Sequence, residues 1–269
     1  MAVQDMHKSR AADARAGRRG VQTEMATVEG SGICGPKGKD WSGTPHGKEI
    51  KFAGLDTYVT GRTEKPSAVI LVIHDIWTWK LKNIRLLSDK LGAEGYLVLL
   101  PDFFHGDAII DFGERAEFYA RHPFTSTYPE VDAVLEQIKE TYGNIPVGVE
   151  GFCYGGHFAI RLAGRTEGLS IKAAVIPHGS YIEPEIVEAA KQPVKFLFSN
   201  DEDHQIPKEK REKLEKILDS KLNSGYKFYA DMEHGWSLRG DQSDKNIAAG
   251  AQDAYEQALA FFKEHVPLD

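Results

Sequence analysis

The chain has 269 residues, 41% of them hydrophobic and 27% charged, enough to bury one sizeable core and to favour a single large α/β domain over two small ones. A formal net charge of −7 argues against a nucleic-acid binder or an anionic-membrane binder, since both need clustered Lys and Arg. No apolar stretch is long enough to span a bilayer, and two cysteines, Cys34 and Cys153, are too few for a disulfide framework, so a reducing, cytoplasmic setting is expected.

The first 24 residues carry Lys8, Arg10, Arg15, Arg18 and Arg19 with little apolar content. An organelle-targeting presequence has this basic character, but Asp5 and Asp13 fit it poorly, and a disordered extension or an upstream start ahead of Met25 accounts for the composition better. The expected organisation is a flexible basic N-terminal extension over residues 1–45 and a single α/β domain over 46–269. From Glu49 onward short β-rich runs alternate with helical runs, the pattern of a mostly parallel central sheet with helices on both faces. Runs at 50–52 and 57–60 predict an opening hairpin around Gly54, and 68–73 is a continuous apolar strand. A helix over 83–94 follows, then a strand over 96–100 ended by Pro101, helices over 114–119 and 129–142, and a strand over 147–150. Beyond a helical run at 158–163 come strands at 173–176 and 194–199, a helix over 208–222, a strand over 226–229 and a terminal helix over 246–265.

Gly151-Phe152-Cys153-Tyr154-Gly155-Gly156 stands where the 147–150 strand meets the next helix. Small residues around a central nucleophile are what a nucleophile elbow needs, because the tight strand-to-helix turn leaves no room for side chains. The helix N-terminus favours a thiolate, and the Tyr154 N–H is aimed where an oxyanion would develop. On the motif alone, a buried cysteine beside packing glycines fits as well, since strand-Gly-helix joints recur in α/β proteins.

Functional groups of open α/β sheets gather beyond the carboxyl ends of strands. Asn200-Asp201-Glu202-Asp203-His204 follows one strand, and Glu233-His234-Gly235-Trp236 follows the last. Nucleophile, acid, histidine is the chain order of α/β-hydrolases. Taken singly, His234 is one of ten histidines, and the acids form a solvated loop capping the helix near Pro207. The sharper alternative has one of these carboxylates orient the imidazole while the other ring nitrogen faces the sulfur. His74, Asp75, Asp102 and His105 also stand at strand ends, but their spacing matches no zinc motif, and no G-x-G-x-x-G follows the first strong strand. Neither a metal nor a cofactor is expected.

Together, His74-Asp75-Ile76-Trp77, Gly95-Tyr96 leading to Leu100-Pro101-Asp102, the cysteine elbow, Asp203-His204-Gln205-Ile206-Pro207, and His234-Gly235-Trp236 with Arg239 resemble the dienelactone hydrolases, or carboxymethylenebutenolidases. The likeness runs from about Trp41-Ser42-Gly43 to the C-terminus and implies an α/β-hydrolase fold. It implies Cys153 as nucleophile, His234 as base and Asp203 as the orienting acid, since the family's acid stands four residues before a proline. It further implies Asp75 as a carboxylate that meets the resting thiol, and Ile76 as the second oxyanion donor beside Tyr154. Arg239 is the implied clamp for a substrate carboxylate, with Arg115 or Arg121 as a second cation. Trp77, Trp236, Tyr154 and Phe104 are the expected cavity walls.

The expected activity is hydrolysis of small lactones or esters through an acyl-enzyme, in a monomer or weak homodimer whose only partner is that small molecule. The alternatives are a broader carboxylesterase or thioesterase with the same residues, and a catalytically silent scaffold that binds ligands.

Overall fold

The computed structural model describes residues 38–169 and 171–269; the basic head and Cys34 fall in residues 1–37, outside the described residues. An opening hairpin joins β1 (Lys48–Phe52) to β2 (Leu55–Gly61) through Gly54, whose φ of 82° is one that glycine adopts without strain. Then come β3 (Val69–Ile73), α1 (Lys82–Ala93) and β4 (Leu97–Pro101). A single 3₁₀ turn, Phe112–Glu114, leads into α2 (Arg115–Arg121) and α3 (Phe124–Tyr142). The remaining elements are β5 (Val147–Gly151), α4 (Tyr154–Ala163), β6 (Ala173–Pro177), α5 (Pro184–Glu188), β7 (Val194–Phe198), α6 (Lys208–Asp219), β8 (Gly225–Phe228), α7 (Trp236–Arg239) and α8 (Lys245–His265).

The strands form one sheet in the order β1-β2-β4-β3-β5-β6-β7-β8. The pairs β1–β2 and β2–β4 are antiparallel, and every pair from β4–β3 to β7–β8 is parallel. This is the α/β-hydrolase arrangement. Every residue of β3, β4 and β5 is buried, which is why β3 and β4 read as unbroken apolar runs and not as alternating ones. Strand β4 adds to one side of β3 and β5 to the other, so the chain changes direction there. The crevice beyond the ends of β3 and β5 is therefore where a ligand site is built, and it places Asp75 next to Cys153 in the topology.

Three local features depart from the sequence-based expectations. Helix α3 starts at Phe124 and contains Pro129, where a start at 129 was expected; proline suits a first turn, but here the helix runs through it with one backbone N–H missing. Helices α5 and α7 were not foreseen, being one turn each and too short to carry a period. The N-terminal boundary also moves: residues 38–41, assigned to the extension, are tied to the body. The Trp41 amide donates to Asn83 Oδ1 at 2.7 Å, its indole Nε1 to the Gly240 carbonyl at 3.0 Å, and Asn83 Nδ2 to the Lys39 carbonyl at 2.8 Å. One large aromatic in a Gly-rich stretch supplies enough apolar surface to seat the segment.

Glu150 is the odd residue of β5. It pairs with Val72 of β3 and Val175 of β6, and alternation places it on the face of Gly148, where a Cβ would lie 2.9 Å from Phe262 of α8. Burial pushes its carboxyl up from 4.5 to about 8. An acid with a folded pKa above its unfolded one keeps its proton in the fold, so its stabilising share is complete below 4.5 and is lost as pH rises through about 8. Glu150→Gln should remove this slope: thermal unfolding should show the variant matching the wild type at low pH and exceeding it by about 1–3 kcal/mol in mild alkali.

Candidate active site

Cys153 stands between the last residue of β5 and the first of α4, at φ 49° and ψ −110°. A non-glycine residue there carries about 1–3 kcal/mol of strain and holds it only when its surroundings leave no alternative. They leave none here. A Cβ on Gly155 would fall 2.1 Å from the Ile73 carbonyl oxygen, and one on Gly151 would fall 2.3 Å from the Gly155 oxygen. The glycines therefore let α4 close onto the ends of β3 and β5. Hydrogen bonds fix the turn: Phe152 N–H to Ile73 O at 3.0 Å, Gly155 N–H to Phe152 O at 2.8 Å, and Gly156 N–H to Cys153 O at 3.0 Å. Cys153 is fully buried. Tyr154, as the first residue of α4, carries one of the amides that a helix leaves without an intrahelical acceptor.

His234 follows β8 and meets Asp203, which follows β7: Nδ1 donates to Asp203 Oδ2 at 2.8 Å. Ser199 also donates to that carboxylate, and the Gln205 amide donates to Oδ1 at 2.8 Å. The imidazole's other nitrogen, Nε2, is buried with no nitrogen or oxygen partner among the described residues, and a hydrogen bond with the Cys153 side chain accounts for it. Burial alone would lower the pKa of His234, but the charges of Asp203 and Cys153 and the hydrogen bonds to both push it up to about 10. Burial would raise Asp203, yet the charge of His234, its hydrogen bond, and those from Ser199 and Gln205 hold it below its usual range. The neighbouring acid Asp201 pairs with Arg211 Nη2 at 2.8 Å, so the acid loop docks onto α6, which has no side-chain cap at its N-cap residue Pro207.

Asp75 and Arg239 form a second buried pair, Oδ2 to Nε at 2.9 Å, with both side chains almost wholly out of solvent. Asp75 Oδ1 also accepts the Trp77 amide at 2.8 Å. Burial pushes the Asp75 carboxyl up, offset only in part by Arg239, Trp77, His74 and His234. Asp75 was expected to meet the thiol and Arg239 to clamp a substrate carboxylate; in the structure the carboxylate and guanidinium meet each other. A buried guanidinium needs a carboxylate to balance its desolvation, and Asp75 at the end of β3 supplies one. Room for Arg239 comes from Gly235, where a Cβ would fall 2.1 Å from Nη2.

Ile76, the expected second oxyanion donor, is fully buried in the loop after β3. Trp236 lines a cleft of about 540 Å³ with Asp203, His234 and Arg239, and Trp77 lines one of about 240 Å³ with Lys80, Asp107 and Ile109. Both indole nitrogens are buried without a hydrogen-bond partner among the described residues. Tyr154 is covered by Tyr119 of α2 and Phe124 of α3, ring centroids 6.2 and 5.0 Å away. Phe104 is in that aromatic core, against Phe118 and His122. The other arginines are not brought to the cysteine: Arg121 pairs with Asp107, and Arg115 sits over the Phe112 ring. His74, Asp102 and His105 are taken up by loop contacts, and among the described residues no group of side chains could hold a metal ion.

The sequence reasoning passed over the end of β6, His178-Gly179-Ser180. Ser180 Oγ lies 3.3 Å from Cys153 Sγ, and its N–H donates to the Cys153 carbonyl at 2.9 Å. His178 is buried with its ring 5.0 Å from that of His234, and burial, then the charges of His234 and Arg239, hold it neutral, well below its ordinary pKa. The rule that points to strand ends applies to β6 as to the others and would have found both.

Breaking the Asp75–Arg239 pair on one side leaves a lone buried charge. Arg239→Gln or Asp75→Asn should each cost about 3–5 kcal/mol in urea unfolding, and the double variant less than the sum of the two.

The sequence profile of the dienelactone hydrolase family matches residues 55–266. A hydrolase of Aspergillus violaceofuscus, pyvD, is 29% identical over 83% of this chain and 92% of its own. The carboxymethylenebutenolidase homolog of Xenopus tropicalis is 30% identical over 72% of this chain and 80% of its own. In structure, a putative dienelactone hydrolase from Klebsiella pneumoniae superimposes with a TM-score of 0.65 at 20% identity, over 78% of this chain and 93% of that one. The chain belongs to the dienelactone hydrolase family.

Proposed function

We propose that this protein is a cysteine-dependent hydrolase of small lactones and esters that works through an acyl-enzyme on Cys153. The observation that carries the proposal is the run of contacts from Asp203 through His234 to the Cys153 sulfur at the mouth of a strained elbow. The family match and the frog relative, a carboxymethylenebutenolidase homolog, support a lactone as the substrate class.

His234 takes the thiol proton at Nε2, and Asp203 holds the ring by Nδ1 and balances the imidazolium. The sulfur attacks the carbonyl carbon, and the negative oxygen is received by the N–H groups of Ile76 and Tyr154. Collapse of the tetrahedral adduct breaks the carbon–oxygen bond, and His234 returns the proton to the leaving alkoxide. In the second half His234 draws a proton from water as it attacks the thioester, and the thiolate leaves. The raised basicity of His234 suits it to remain protonated beside a thiolate between turnovers.

A second reading, a broader esterase or thioesterase, is favoured by the pairing of Arg239 with Asp75. A guanidinium already neutralised inside the site selects less strongly for an anionic substrate.

The test is a panel of charged and neutral lactones and esters. Cys153→Ala should lower kcat/KM by about three orders of magnitude or more, with the circular dichroism spectrum unchanged. Retained turnover in that variant would remove the proposal. Arg239→Lys, which keeps the charge and loses the planar fork, should slow anionic lactones about tenfold while sparing neutral esters if lactones are the substrates. Equal effects on both would favour the broader esterase.

A further inference from the structure

The turn after β6 reaches the nucleophile beside the elbow's own helix, and nothing in the mechanism so far uses it. Ser180 is fully buried and holds Cys153 twice, by its amide to the cysteine carbonyl at 2.9 Å and by Oγ at 3.3 Å from Sγ. The placement is enforced from behind. His178 begins the turn at φ 38° with its own amide anchored to the Leu197 carbonyl at 2.9 Å, and Gly179 lies so close to Gly156 of α4 that a Cβ on Gly156 would fall 2.9 Å from its Cα. Ser180 cannot turn away into solvent.

Between a thiol and a hydroxyl either group can donate, but a thiolate can only accept. Once the thiol proton has moved to His234 Nε2, the Ser180 hydroxyl can only donate to sulfur, alongside the imidazolium N–H. We propose that Ser180 is a further catalytic residue, whose hydroxyl donates a hydrogen bond to the Cys153 thiolate and gives it up as the sulfur bonds to the acyl carbon. This rests on Cys153 being the nucleophile. A donor to the thiolate makes the anion easier to form and less eager to attack, so Ser180 trades nucleophilicity for readiness at neutral pH. The titratable and charged groups around the sulfur are His234 backed by Asp203 from the loops after β8 and β7, Asp75 with Arg239 from the end of β3 and from α7, and His178 from the end of β6. None of them is altered by a change at Ser180.

The experiment is the pH dependence of Cys153 alkylation by iodoacetamide, followed by peptide mass spectrometry so that Cys34 does not contribute. In Ser180→Ala the midpoint of thiolate formation should rise by about one pH unit, with alkylation below the midpoint about threefold slower than in the wild type, because a roughly tenfold smaller thiolate fraction is offset in part by a more reactive thiolate. At high pH the order should reverse, the variant reacting about threefold faster because its thiolate is more basic. A merely structural role would slow the reaction at every pH and give no crossing. Ser180→Gly removes the same hydroxyl with less volume and serves if the alanine variant unfolds; Ser180→Thr keeps the hydroxyl and should titrate with the wild type. An unchanged midpoint in a folded alanine or glycine variant, or a threonine variant shifted as far as either, would overturn the proposal. Because alkylation is read without substrate, this outcome is separate from that of the hydrolase reading, which falls if Cys153→Ala still turns over esters.

Discussion

The site depends on how closely α4 is pressed against the ends of β3 and β5. Two glycines allow that approach, and the approach forces a cysteine into a conformation it would not take in a free chain. The strain stored in one residue is small against the burial around it: Ile73, Phe152, Tyr154 and Phe158 are all essentially out of solvent. What the packing secures is direction. The sulfur emerges at a helix N-terminus and between loops that close in from the far end of the sheet. Without that joint His234 and Asp203 would still pair with each other, but with no sulfur to serve.

Around the cysteine lie two ionic pairs in succession, His234 with Asp203 and Arg239 with Asp75. Each is buried, and each would be unfavourable if one member stood alone. Their proximity is felt across the gap, since the charge of His234 bears on Asp75 and that of Arg239 on His178. His178, buried with like charges on two sides, stays neutral. Each charge in the two pairs is therefore met by an opposite one, and the Arg239 guanidinium already has its carboxylate.

Much of this was legible in the chain. The apolar run through β3 and the alternation of strands and helices announced a doubly covered parallel sheet, because burial on both faces leaves no polar position to break the run. Cys153, Asp203 and His234 were legible as candidates because nucleophile elbows and strand ends have local signatures; the structure pairs His234 with Asp203 and buries Cys153 at the turn after β5. Arg239 was legible as a member of the site but not in its pairing, since sequence gives a guanidinium no address. The turn at Ser180 carries no motif: its importance arises from a contact between residues 153 and 180 that only the sheet creates. Helix α7 was hidden for a different reason, a single turn being shorter than any hydrophobic period.

That one-turn helix has no stability of its own. Its last residue is Arg239, whose carbonyl accepts from the Lys39 amide at 3.4 Å, while the Trp41 indole holds the next carbonyl, that of Gly240. Gly38 sits so close that any side chain there would collide with the Arg239 oxygen. The stretch leading into the first strand is thus pinned to the backbone of the same turn whose last side chain is the partner of Asp75, so entry to the sheet and the placing of a buried guanidinium share one set of contacts.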